Sequence, residues 1–101
     1  MSESKEILTQ LDALVLAFQT GRLSLPVFAT ELESGIQSLP SSLEKTKNEL
    51  FSKWMVVEEV NALALDAGQY LPLPEHAELI KQSLLEVHDL VSEAKKVIDD
   101  T

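Results

Sequence analysis

Apolar residues recur along this chain at helical rather than strand spacing, in four separate blocks. In the first, Ile7, Leu11, Leu14 and Phe18 follow at intervals of four, three and four, with Leu8 and Val15 widening the stripe. This predicts a helix over about 4–20, stopped by Gly21 in the left-handed conformation that ends many helices. In the second block Leu25, Phe28, Ala29, Leu32, Ile36 and Leu39 make one face of a helix over about 25–38. Ser24 is placed to cap its start, Pro26 fits the first turn, and Pro40 disfavours continuation. Gly35 interrupts this helix, at a cost of about 1 kcal/mol against alanine in an exposed position. Simple tolerance is the expected reason, with close approach of another helix as the alternative.

The third helix is expected over about 42–67, opened at Ser41 or Ser42 and stopped by Gly68. The fourth spans about 75–98, with Pro74 in its first turn and Glu75 and Glu78 at the positive end of its dipole. Leu79, Ile80, Val87, Leu90, Val91, Ala94, Val97 and Ile98 read as its core face. The connection from Gln69 to Pro74 contains a Pro-x-Pro stretch with no basic flank, which reads as a rigid turn rather than a polyproline ligand. No segment alternates with period two. The expected architecture is therefore all-α: a four-helix antiparallel bundle with two long helices, the third and fourth, and two shorter ones. It is expected to form a single domain over residues 1–101.

Two positions stand off these faces, and one helix carries more apolar surface than a face needs. Leu16 falls about 140° from the centre of its stripe at about 100° per residue, and Leu85 is likewise off the fourth helix's face. The third helix is apolar nearly all round. Leu43, Leu50, Trp54, Val57, Ala64 and Leu65 form one stripe, flanked by Phe51, Met55 and Ala62, while Val56, Val60, Leu63 and Ala67 form another. A helix of this kind is surrounded. The favoured expectation places it at the centre of the bundle, touching all three others. The alternative assigns Val56, Val60 and Leu63 to an intermolecular interface, together with Leu16 and Leu85. Asn61 breaks the first stripe, with Glu58 beside it. A buried asparagine needs partners, so a bond to loop backbone is expected first. Setting the register of an oligomer, or lining a small ligand pocket with Trp54 and Glu58, are the other two roles.

Charge then narrows the partners. Eight Lys and Arg stand against seventeen Asp and Glu, a formal net charge of −9. The one basic doublet, Lys95-Lys96, is followed at once by Asp99 and Asp100, so no patch exists to neutralise phosphates. Neither nucleic acid nor an anionic membrane is an expected partner. The longest unbroken apolar run, Ala13 to Phe18, is far short of a membrane span. With no cysteine and a polar, acidic start lacking a signal-peptide layout, a cytoplasmic location is expected.

Candidate chemistry is sparse. His76 and His88 are each preceded three residues earlier by leucine, not glutamate, so neither makes the Glu-x-x-His pair that holds metals in helical bundles. No His-Glu-x-x-His, phosphate-cradling glycine loop or Gly-x-Ser-x-Gly elbow occurs. No catalytic, cofactor-binding or metal residues are assigned, and the chain is not expected to be an enzyme. The stretch from Thr20 to Phe28 has helix-turn-helix grammar, but the helix after it offers Glu31 and Glu33 where a DNA reader needs cations. The leading expectation is a small acidic interaction protein: an adaptor, or a self-associating bundle forming a homodimer. The second is an acidic inhibitor or antitoxin-like protein that neutralises a basic partner through Glu75, Glu78, Glu86, Asp89 and Glu93. The third is a small-ligand-binding bundle.

Overall fold

A computed structural model describes residues 3–99; the first two and last two residues of the expected domain lie outside the described residues. Helix α1 spans Glu3–Gln19, α2 Leu25–Gln37, α3 Glu44–Asp66 and α4 Ala77–Asp99, and no strand occurs among the described residues. They form the expected all-α bundle, with two helices of 23 residues and two of 17 and 13. Single 3₁₀ turns at Ser41–Leu43 and Pro74–His76 lead into the two long helices. The serines expected to open α3 thus lie in its tighter lead-in turn.

The stops are chemical. Gly21 and Gly68 have φ of 80° and 74°. Each allows the chain to fold back so that the next amide reaches a carbonyl five residues earlier, Arg22 N to Ala17 O at 2.8 Å and Gln69 N to Ala64 O at 2.8 Å. Ser24 takes the extended N-cap backbone, but its hydroxyl makes no capping bond. The orphan amide of Leu25 instead donates to Tyr70 O at 2.9 Å, which ties the α1–α2 turn to the α3–α4 connection at one end of the bundle. Near the other end Lys47 Nζ donates to the α2-terminal carbonyls of Gln37 and Leu39 at 3.1 and 3.3 Å. A cation there also suits the negative end of the α2 dipole.

Each helix packs against its neighbours in sequence, and α4 closes the ring on α1. This corrects the expectation for α3, which lies between α2 and α4 and shares no comparable interface with α1. The core comprises Leu8, Leu11 and Val15 of α1, Leu25, Phe28, Ala29, Leu32 and Ile36 of α2 with Leu39 just beyond it, and Leu50, Val57, Val60 and Ala64 of α3. From α4 it takes Ile80, Leu84, Val87, Val91 and Ala94. Phe28 stacks on Phe18 with ring centroids 4.7 Å apart. Gly35 has a packing reason after all. A Cβ built there would come within 2.6 Å of Leu11 Cδ2, so α1 approaches α2 through the missing side chain.

Three expected core residues lie outside. Leu79 and Val97 are exposed, Val97 by 57%. Both fall about 80–100° from the centre of the buried α4 stripe at about 100° per residue, on the flank turned to α3. Leu65 is exposed for another reason. The bonds of Trp54 to Ala29 and of Lys47 to Gln37 set an antiparallel register. Extended along both helices, that register puts Leu25 opposite about residue 58. The short α2 ends before it reaches Leu65.

Candidate functional site

Exposed large apolar residues are spread over the bundle, with Val27 on α2, Met55 and Leu65 on α3 and Tyr70 and Leu71 in the α3–α4 connection, and Leu16, Leu63, Leu79, Leu85 and Val97 flank α4. On its α1 side, Leu16 and Leu85, 61% and 48% exposed, line one groove of about 370 Å³ with Val15, Leu84, Asp12, Gln19 and His88. The two leucines are far apart in sequence. They share the groove because α1 and α4 are antiparallel and each carries its off-stripe leucine on the flank turned to the other. The seam is pinned by polar contacts: His88 Nδ1 lies 3.1 Å from Asp12 Oδ1, and Lys95 Nζ lies 3.8 Å from Asp12 Oδ2. An ionised carboxylate only accepts, so the imidazole Nδ1 is the donor in this contact.

The residues of the third helix separate. Val60 is 1% exposed and belongs to the core, which corrects its place in an intermolecular interface. Its phase on α3, about 60° from the buried centre, turns it into the contact with α4. Val56 is half-buried and Leu63 is 42% exposed. Both sit farther round on the same α4-facing flank, where side chains emerge at the surface. The antiparallel register set by Lys53 and Glu86 puts Leu79 of α4 near them, whereas Leu90 and Val97 lie farther along the seam beside Glu49 and Leu43. The five expected interface residues therefore divide into a pair on one side of α4, a pair on the other, and one in the core.

Between these two seams runs the outer ridge of α4. Glu78, Asp89 and Glu93 are exposed there, and Glu86 is half-buried with Oε2 3.0 Å from Lys53 Nζ of α3. Spacings of eight, three and four put the four carboxylates within about 80° of one another over about 22 Å of helix. Glu75 is exposed in the lead-in turn below them. Periodicity on α4 held the signal for this ridge.

Trp54, Glu58 and Asn61 share the α2-facing flank of α3 by helical phase. Trp54 Nε1 donates to Ala29 O at 2.8 Å, so the indole N–H bridges α3 to α2. Asn61 is 7% exposed, and its Oδ1 meets no hydrogen-bond partner, contrary to the expected bond to loop backbone. A buried amide oxygen left without a donor costs about 1–3 kcal/mol. Asn61→Leu is accordingly expected to raise the unfolding free energy by about 1–2 kcal/mol, read as a higher urea midpoint at unchanged slope. A lower midpoint would show that the amide is partnered in solution.

Among the described residues, no group of three or more His, Asp and Glu side chains is placed to hold a metal ion. Nor is any helix among them long and apolar enough to cross a membrane. The fold and this face define an all-α bundle with an acidic ridge between two apolar seams. No protein family, curated protein or solved structure matches the chain.

Proposed function

We propose that this chain is a protein-interaction module that binds another protein through the face of α4. The observation that carries the reading is the pairing of Leu16 and Leu85 over one groove. Two large apolar side chains, brought together by the fold and left in water, gain free energy when a partner covers them. The carboxylate ridge beside them speaks to which partner. Two copies meeting on this face would oppose the four carboxylates of each ridge, and like charges brought together at an interface cost several kcal/mol. A foreign partner with cationic groups meets no such cost. The same ridge favours a second reading, an inhibitor-like protein that neutralises a basic enzyme, in which exposed carboxylates accelerate encounter.

The test is retention of partners by immobilised protein from native lysate, comparing the wild-type chain with Leu16→Glu plus Leu85→Glu. Both residues are exposed, so helix content by circular dichroism should hold. Proteins retained by the wild type and lost by the variant are the expected result. The same set retained by both would remove the α1–α4 seam from any binding role.

A further inference from the structure

We infer that the groove between α3 and α4 seats a basic amphipathic helix of the partner, an inference that rests on the interaction reading above and gives the partner its chemistry. Two depressions run end to end along this seam, of about 420 and 300 Å³, and share Glu49 and Leu90 as common lining. Leu43, Leu90, Ala94 and Val97 supply the apolar lining of the larger one. Val97 is the most telling of these. It is 57% exposed, because its phase takes it off the buried α4 stripe and onto the flank that lines this seam.

The rim sets the sign of the occupant. Glu49, Glu86, Asp89 and Glu93 line the two depressions, against Lys45 and Lys53. Lys53 is already committed to Glu86 at 3.0 Å. Three carboxylates then face one remaining lysine, in a chain whose net charge is −9. An apolar segment flanked by Lys or Arg complements this rim; an acidic segment or a second copy of the same face does not.

The shape sets the secondary structure. The lining runs from Leu43 in the lead-in turn to Lys53 on α3 and from Glu86 to Val97 on α4, about 15–17 Å or three helical turns. Helix backbones satisfy their own hydrogen bonds, so the groove offers no edge for an added strand and is read by side chains alone. The occupant that fits is a helix of about 11 residues, with apolar positions at i, i+3, i+4 and i+7 and cations on both flanks.

The experiment titrates the full ¹⁵N-labelled chain with three synthetic helical peptides. One carries leucine at those four positions and lysine on the flanks. The second keeps the leucines with glutamate flanks, and the third keeps the lysines with serine at the four positions. The inference expects the leucine–lysine peptide alone to bind, with shifts concentrated at residues 43–53 and 86–97. Glu49→Gln plus Glu93→Gln, both solvent-reached rim positions, should weaken that binding about tenfold. Equal binding of the lysine–serine peptide would replace the groove with diffuse charge attraction and overturn the inference. Binding of the glutamate peptide, shifts centred on Leu16 and Leu85, or no binding at all would overturn it as well. If the groove fails while the Leu16 and Leu85 variant still loses its partners, the interaction reading stands without it.

Discussion

Phe28→Ala is expected to lower the unfolding free energy by about 3–5 kcal/mol, the range for removing a fully buried phenylalanine. Phe28 is 0% exposed near the start of α2, and its ring stacks on Phe18 of α1 at 4.7 Å. The substitution therefore removes the transfer free energy of the ring, its partner in the stack, and the packing that joins the first two helices. A chain of this size has about 5–15 kcal/mol of stability in total. The variant should sit near its unfolding midpoint in mild denaturant. Urea titration by circular dichroism measures it, and a loss under about 1 kcal/mol would mean that the α1–α2 packing described here does not carry the fold.

A second large effect separates core from surface on α3. Val60→Asp should cost about 3–5 kcal/mol or abolish folding, because it puts an unpaired carboxylate in the α3–α4 contact. Leu63→Asp, three residues on and at the surface, should change stability by about 0.5 kcal/mol or less. The contrast is the useful part. Both residues belong to one apolar stripe by spacing, and only the packing tells them apart. Thermal unfolding of the two variants under one condition reads the difference. Equal tolerance of both would place Val60 at the surface.

That pair also shows what the chain's pattern discloses and what it hides. Helix positions were legible because Gly21, Pro26, Gly68 and Pro74 act locally, through φ values and missing amides that need no tertiary information. Leu16 and Leu85 were legible as off-face residues, since helical phase is a property of each helix alone. Their meeting over one groove was not, because it depends on the register of α1 against α4. Val60 was left between core and interface for a related reason. The second stripe of α3 faces a neighbour at its inner edge and water at its outer edge, and periodicity does not say where that edge falls. Gly35 belongs here too, since a glycine that admits Leu11 reads in sequence like one that is merely tolerated. The unpartnered Oδ1 of Asn61 was beyond reach altogether, because hydrogen-bond satisfaction is decided by coordinates and not by spacing.

The acidic ridge gains its meaning from the same packing. In sequence, carboxylates along a helix read as solubility. Set beside two apolar seams, one of them bridged by Lys53 and Glu86, they are, on the reading proposed above, what selects the charge of a partner. On the proposed reading the face of α4 is left for a foreign, basic partner and is not buried against a second copy. Light scattering on a size-exclusion column, across a concentration series at physiological salt, tests it most directly. A monomer of 11.2 kDa throughout is the expected result. A stable species of about twice that mass, broken by Leu16→Glu plus Leu85→Glu, would contradict it.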